Sequence, residues 1–261
     1  MDLRVLVLFV FLLLPGGFVT AENRPTLALL DFFPFGRAGD SGKPIGLMVD
    51  MIREIEKASG IPIDIKLMPI PRALRSVTLG EADLMISYKD DQMLPGVTFL
   101  GNMGCLQALL IPHGNSHISS LDDLTDKRIG FISKGYFHIK FAHQFGLIPV
   151  EVPSNESMLH MTLRHWLDGF VINSIVLGAY KKGLAEHAHL PGDWQTKLGT
   201  PIILETMETH LSISRRSKLQ HLIPVLSKAV ETVKKQGLFQ QLYDRYGGVD
   251  ASNCGDLSDS L

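Results

Sequence analysis

Three polar side chains at the end of a short apolar strand are the first candidates for ligand chemistry. Residues 83–87 read DLMIS, typical of a buried strand, and Ser87, Tyr88 and Lys89 stand at its end or directly beyond it. In α/β proteins, ligands bind beyond the carboxyl ends of the strands. We therefore predict that these side chains face a ligand-binding cleft. The alternative for Lys89 is an ordinary solvated lysine.

A second group of candidates joins a strand to a helix. Ser133, Lys134 and Tyr136 follow a strand predicted at residues 128–132 and lead into the next helix. The first N–H groups of a helix have no partner within it and can bind an anion. The pattern therefore predicts that these residues bind a polar or anionic ligand.

Recognised catalytic motifs are absent from the sequence. It contains no G-x-S-x-G, no phosphate-binding P-loop, no G-x-G-x-x-G and no H-E-x-x-H. His187 and His189 follow Glu186, but two histidines in a polar loop are usually not a metal site. We predict no catalytic residue, no metal and no cofactor.

Composition excludes several classes of protein. The 261 residues include 25 Lys+Arg and 27 Asp+Glu, a formal net charge of 25 − 27 = −2, and 45% are hydrophobic. A disordered chain would be less apolar, and a nucleic-acid-binding protein would carry a basic excess. Two cysteines are too few for a disulfide scaffold. The length allows one large domain or two small ones.

Strand and helix patterns alternate in two similar blocks, which must position the candidate residues. The first block predicts strands at residues 26–31, 63–67 and 83–87 with helices at 47–60 and 73–80. The second predicts strands at 128–132, 148–152 and 169–172 with helices at 136–146, 154–167 and 175–182, then a strand at 209–214 and helices at 217–237 and 238–246. Such βαβαβ blocks require parallel sheets with right-handed crossovers. We therefore predict two α/β lobes.

The N-terminus is typical of an export signal. Residues 5–14 read VLVLFVFLLL after Arg4, and Val19-Thr20-Ala21 suits signal peptidase. An apolar run of this length is within the signal-peptide range and short of a membrane span. We predict a signal peptide at residues 1–21 and a periplasmic mature protein; the alternative is an uncleaved membrane anchor.

Five segments, in order along the chain, resemble motifs of the bacterial extracellular solute-binding proteins of family 3. They are Pro34-Phe35 with residues 40–50 (DSGKPIGLMVD), 79–83 (LGEAD), 121–130 (LDDLTDKRIG), 166–171 (WLDGFV) and 237–247 (GLF to YG). The resemblance implies a two-lobed type II periplasmic binding protein fold with a ligand cleft at the hinge. It also implies a monomer that serves an ABC importer and its membrane permease, with no nucleic-acid partner.

The resemblance also implies the extent of the lobes. Residues 22–106 would begin the first lobe, 107–208 would form the second, and 209–261 would return to the first. Cys105 and the C-terminal tail would then share a lobe, so a Cys105–Cys254 disulfide is predicted for an exported protein. The alternative is two free thiols.

The ligand residues depart from the family pattern. Amino-acid binders of the family usually clamp the α-carboxylate with an Arg after the third strand and the ammonium with an Asp after the "vDa.v" strand. Here the first segment has no Arg, and Asn173 stands in place of the Asp. Since a bidentate Arg–carboxylate pair is strong and an unpaired buried ammonium is costly, we predict that the ligand is not an ordinary α-amino acid.

The resemblance nominates three further ligand-binding residues. Phe32 matches the family's aromatic wall, Arg72 matches an arginine of divergent members, and Asn173 should face the cleft. The alternatives are a core phenylalanine for Phe32 and a solvated arginine for Arg72. All three are predicted to contact the ligand.

Two other functions stay open at this stage. One is a periplasmic enzyme on the same fold, similar to a cyclohexadienyl dehydratase, for which Glu151, Asp168 or His138 could act as acid or base. The other is a sensory protein that presents its ligand to a separate membrane receptor. Binding without chemistry is the preferred prediction.

Overall fold

The computed structural model describes residues 24–185, 189–251 and 254. The predicted signal peptide, together with Glu186 and His187 of the histidine pair, lies outside the described residues. Within the described part of the chain, no helix is long and apolar enough to cross a membrane.

The first block folds closely as the sequence pattern predicts. Its elements are β1 (Thr26–Leu30), α1 (Leu47–Ser59), β4 (Asp64–Met68), α2 (Ile70–Leu79) and β5 (Leu84–Tyr88), with a small hairpin of β2 (Arg37–Ala38) and β3 (Pro44–Ile45) after β1. Helix α1 buries Leu47, Met48, Met51, Ile52 and Ile55, the apolar face seen in the sequence.

Gly46 explains how the chain enters α1. Its φ is +135°, and a Cβ atom there would lie 2.7 Å from the carbonyl oxygen of Phe35. Only glycine suits both the backbone angle and the close approach. Leu47 and Met48 can therefore donate their N–H groups to the carbonyls of Pro34 and Phe35, which joins α1 to the preceding loop.

The second block also follows the prediction, with shorter helices. It contains β7 (Arg128–Ile132), α3 (Tyr136–Phe141), β8 (Ile148–Val152), α4 (Asn155–Leu163), β9 (Gly169–Asn173) and α5 (Ser174–Lys181). Ser154 caps α4, as predicted, by accepting a hydrogen bond from the N–H of Ser157 at 3.1 Å. The chain ends in α6 (Ile223–Lys235) and α7 (Leu238–Tyr246).

Two long strands connect the blocks, and the sequence analysis found only part of them. β6 (Val97–Pro112) was not predicted as a strand, and β10 (Ile202–Ser214) begins seven residues before the predicted residue 209. They pair in antiparallel fashion from Ile202–Leu110 to Ser214–Val97. The backbone N–H and C=O groups of each strand form many of their hydrogen bonds with the other strand. Local sequence periodicity does not reveal pairing between segments so far apart in the chain.

All the major strands form one eight-stranded sheet in the order β4-β1-β5-β10-β6-β9-β7-β8. β4, β1 and β5 are mutually parallel and join one end of β10; β9, β7 and β8 are mutually parallel and join the opposite end of β6. We refer to these halves as the first lobe and the second lobe. The two-lobed α/β fold predicted from the sequence is therefore confirmed.

The core follows this division into lobes. The largest apolar cluster runs through both lobes and includes α1, α6 and α7. A smaller cluster lies on the other side of each lobe, around Phe131 in the second and Val77 in the first. The boundaries predicted after residues 106 and 208 fall inside β6 and β10.

Cys105 and Cys254 meet beside the middle of β6. Their Cα atoms are 5.3 Å apart, a separation that suits a disulfide. The N–H of Cys105 donates to the carbonyl of Ala251 at 3.0 Å, so backbone pairing also holds the tail against this strand.

We expect non-reducing peptide mapping of the exported protein to recover Cys105 linked to Cys254. Replacing both residues with Ala should lower the free energy of unfolding by roughly 2–5 kcal/mol, because the bond closes a long loop. Urea denaturation with and without reductant provides the control, since reductant should affect only the wild type. Two free thiols in the mapping would contradict the prediction.

Gly178 marks a close contact between α5 and the turn after α7. A Cβ atom at Gly178 would lie 2.1 Å from the carbonyl oxygen of Gly247. Although alanine is normally the better helix former by about 1 kcal/mol, we expect Gly178→Ala to destabilise the protein by about 1–3 kcal/mol through steric overlap. Thermal denaturation measures this change.

Gly192→Ala is the matched control, since nothing lies within 4 Å of the added methyl group. It should leave the melting temperature nearly unchanged. A Gly178→Ala protein as stable as the Gly192→Ala protein would show that α5 and the turn at Gly247 do not pack as described.

Candidate ligand-binding site

A cavity of about 130 Å³ lies between the two lobes, with room for several water molecules and hence for a small ligand. Its walls come from the carboxyl ends of β1, β5 and β9 and from the beginning of α3 and α4. Both lobes therefore contribute to it. Of the predicted site residues, the structure brings Phe32, Ser87, Tyr88, Tyr136 and Asn173 together in its lining.

Tyr88 and Asn173 meet across the two lobes. The amide nitrogen of Asn173 donates a hydrogen bond to the Tyr88 hydroxyl, and its amide oxygen accepts one from the N–H of Ile175 at 2.9 Å. Burial raises the pKa of Tyr88 above its usual value, so the phenol stays protonated. Asn173 thus caps α5 and positions Tyr88.

Aromatic rings form much of the cavity wall. Tyr88 packs against Tyr136 with ring centroids 4.8 Å apart and stacks on Phe137 at 6.1 Å. On the opposite side, Phe32 stacks on Phe35 at 6.1 Å. Such walls suit a flat or apolar ligand surface.

A line of polar groups beside the cavity also connects the lobes. The Tyr136 hydroxyl donates to Asp90 at 3.0 Å and accepts from the ammonium of Lys140 at 3.1 Å. Lys140 in turn donates to Glu205 at 2.6 Å. Asp90 belongs to the loop after β5, whereas Tyr136 and Lys140 belong to α3. Each charge in this line therefore has a protein partner.

Four predicted residues do not line the cavity: Arg72, Lys89, Ser133 and Lys134. Arg72 is exposed in the first turn of α2. Lys89 is paired with Glu208 at 3.5 Å, and Ser133 donates to Glu151. Lys89 is the first residue after β5, and its ammonium lies at Glu208 of β10, outside the cavity lining.

Glu208 has a second partner in His210, on the same side of β10. Its carboxylate lies 2.9 Å from Nε2 of His210. This hydrogen bond is the main reason that the pKa of Glu208 is lowered, while burial lowers the pKa of His210 and favours its neutral form. The neutral imidazole then donates its Nε2–H to Glu208.

Sequence reasoning missed three polar residues of the cavity as ligand contacts: Thr209 of β10, Asn155 and His138. Asn155, the first residue of α4, is 7% exposed, and His138 in α3 has its Nε2 3.7 Å from a carboxylate oxygen of Glu151. Both line the cavity. Asn155 follows the carboxyl end of β8, so the rule that drew attention to Tyr88 could have found it.

Charge is nearly absent from the cavity. Within the described part of the chain, no Asp, Glu, Lys or Arg belongs to its lining, and His138 is the one lining residue that can become a cation. A buried ion without a partner is costly. Over the same residues, no group of three or more His, Cys, Asp or Glu side chains is arranged to hold a metal ion.

Two α/β lobes joined by long strands, with a cavity between their strand ends, define a type II periplasmic binding protein. The chain belongs to the bacterial extracellular solute-binding proteins, family 3, and matches that family over residues 28–249. The predicted family is thereby confirmed. It is a family of mainly non-enzymatic proteins that capture small molecules as substrate receptors of ABC transporters.

Solved structures have the same fold at low sequence identity. They include a histidine kinase sensor domain (15% identity, TM-score 0.71, covering 88% of this chain and 98% of that one). They also include a mutant of ArgBP from T. maritima (16%, 0.67, 86% and 95%) and the substrate-binding protein of an amino acid ABC transporter (17%, 0.65, 85% and 98%). A comparison with curated protein sequences found no match.

The hydrogen bond between Asp90 and Tyr136 should make part of the stability depend on pH. Burial raises the pKa of Asp90, but hydrogen bonds from the N–H of Met93, from Tyr136 and from the N–H of Gln92 together lower it below its usual value. The ionised carboxylate therefore stabilises the fold above about pH 4, the ordinary pKa of Asp. This contribution is lost as pH falls through the lowered pKa of the folded state.

We expect Asp90→Asn to lower the free energy of unfolding at pH 7 by about 1 kcal/mol, since the site is partly exposed. The difference from wild type should shrink as the pH is lowered from about 5 to about 2.5. Urea denaturation at several pH values measures it. Asp91→Asn, at an exposed neighbouring position, is the control. A difference that did not vary with pH would contradict this account.

Proposed function

We propose that this protein is a periplasmic solute-binding protein that closes its two lobes around a small polar or anionic ligand and delivers it to an ABC importer. The observation that carries the proposal is the cavity, which both lobes line at the carboxyl ends of their strands. Hinge motion about β6 and β10 would open and close it. We propose that the chain acts as a monomer with a separate membrane permease.

The ligand is proposed not to be an ordinary α-amino acid. A zwitterion needs an anion and a cation as partners when it is buried, and the described lining offers no carboxylate, ammonium or guanidinium group. The amide of Asn173, where the family has an Asp, is already bonded to Tyr88 and Ile175. Between the two predicted ligand types, this lining favours the polar ligand over the anionic one.

A thermal-shift screen of the mature protein against small metabolites tests the proposal. A ligand present at 100 times its Kd adds about 2.7 kcal/mol, which should raise the melting temperature by about 5–10 °C. We expect hits among small polar or anionic compounds and none among zwitterionic amino acids. Strong shifts with ordinary amino acids would contradict the proposed ligand class.

In the same assay, the Arg72→Ala variant distinguishes an anionic ligand from a neutral polar ligand. Weaker binding of the hit would indicate an anion that Arg72 reaches when the lobes move. Unchanged affinity would indicate a neutral polar ligand, since exposed Arg72 lies outside the cavity.

Two other functions have one observation each in their favour. For a lyase on this fold, His138 lines the cavity beside Glu151 and is the group that could transfer a proton. Asp168 is held instead by the N–H of Arg128 at 2.8 Å. For a sensory role, the fold is shared with a histidine kinase sensor domain. If a compound that binds in the screen is recovered chemically unchanged after prolonged incubation, the enzymatic function is excluded. Crosslinking in membranes would identify a receptor partner and so test the sensory role.

A further inference from the structure

Most polar groups in the cavity wall are already bonded to the protein. Ser87 donates its hydroxyl to the carbonyl of Tyr88 at 3.1 Å. Thr209 donates to the carbonyl of Gly104 at 2.9 Å and lies 2.9 Å from the Tyr243 hydroxyl. Tyr136 lies between Asp90 and Lys140. Because these groups already have hydrogen-bond partners in the protein, they have little hydrogen-bonding capacity left for a ligand.

Tyr88 is different because only one side of its hydroxyl is used. Its oxygen accepts the hydrogen bond from the Asn173 amide, so the O–H proton must point elsewhere. No acceptor for that proton is found among the described residues. Tyr88 therefore presents one hydrogen-bond donor to the cavity, and Asn173 fixes where the phenol oxygen lies.

Asn155 offers a second polar group. The residue is 7% exposed and lines the cavity, and its amide makes no hydrogen bond with any described residue. Among the described residues, the amide atoms of Asn155 do not belong to the fully enclosed side-chain atoms without a partner, so they keep surface open to the cavity. A ligand in the cavity can therefore reach the amide and bond to it.

Apart from His138, the rest of the lining is apolar. Phe32, Met48, Leu74, Met85 and Ile86 line the side formed by the first lobe. Methionine side chains adapt to irregular apolar shapes, and aromatic rings stack on flat ones. The wall would accept a hydrocarbon or aromatic body and would leave a charged group unsolvated.

We propose that the cavity binds an uncharged molecule with an apolar body and a carbonyl-type oxygen. The Tyr88 O–H donates to that oxygen, and the Asn155 amide makes the second hydrogen bond. This inference rests on the proposed solute-binding function and names the class of ligand. It assigns recognition to two neutral groups, with no ion pair.

Two matched series of probe compounds test this class of ligand. The aromatic series is benzamide, benzoate and benzylamine; the aliphatic series is isovaleramide, isovalerate and isoamylamine. Within each series the apolar body stays constant and the charge changes. We expect the amide of at least one series to bind at least tenfold more tightly than its carboxylate and amine at pH 7, because an ion loses its hydration in the cavity. Titration calorimetry or ligand-observed NMR measures the affinities.

Single substitutions in the protein test which side chains bind the amide probe. Tyr88→Phe removes the donor and keeps the ring, and we expect about three- to tenfold weaker binding, as for one hydrogen bond. Asn155→Ala should weaken binding to a similar extent. Tyr246→Phe is the matched control, since that hydroxyl bonds to Asp50 and lies outside the cavity lining; it should bind like wild type.

The outcomes also separate this inference from the proposed function. Carboxylates or amines that bind as tightly as the amides, or a Tyr88→Phe protein with unchanged affinity for the amide, would overturn the inference. If the metabolite screen found only charged ligands, the inference would fail and solute binding would stand. If neither the metabolites nor the probes bound, the proposed function itself would fail.

Discussion

The antiparallel pair of β6 and β10 is the constraint on which the rest of the molecule depends. The two strands pair along almost their whole length, yet each parallel half of the sheet attaches to only one end of the pair. The pairing register shifts between Ile203 and Glu205, between Thr209 and His210 and between Leu211 and Ser212. Such irregularities bend and twist a strand pair. The first lies opposite the residues of β6 that pair with β9, and the other two lie in the stretch of β10 that pairs with β5. Because the parallel strands of each lobe end near this junction, the cavity forms there, with Leu106 and Thr209 of the pair in its lining.

The polar groups around the cavity follow from the same junction. Backbone and side-chain groups brought out of water at a lobe boundary must find partners. Asn173 provides two at once, by capping α5 and by fixing Tyr88. Thr209 does the same between Gly104 and Tyr243, where burial raises the Tyr243 pKa to about 12. These bonds hold the walls in place, and the bond from Asn173 fixes the position of the Tyr88 oxygen while its O–H proton stays free.

Much of the fold was predictable because its signals are local. The apolar face of α1, the Ser154 cap and the β7 and β8 strands can be inferred from residues a few positions apart. β6 escaped prediction because Gly101 and Gly104 interrupt its pattern, and its extended form depends on β10, almost a hundred residues later. In the site, the position of Tyr88 at the end of β5 predicted that it faces the cavity. The ion pair of Lys89 with Glu208 could not be predicted, because β10 lies more than a hundred residues later in the sequence. Asn155 was missed because it reads as the ordinary start of a helix.

Three charged side chains near the ends of β5 and α3 are neutralised by the protein itself. Lys89 pairs with Glu208, Lys140 with Glu205, and Asp90 is bonded to Tyr136 and two backbone N–H groups. None of them belongs to the cavity lining. A charge that already has a close partner gains little from a ligand of opposite sign, because the ligand must first compete with that partner and lose its own hydration. The Arg and Asp that the family resemblance led us to expect are thus missing where nearby charges are paired internally, and both features support the proposed recognition by neutral hydrogen bonds and by the shape of an apolar wall.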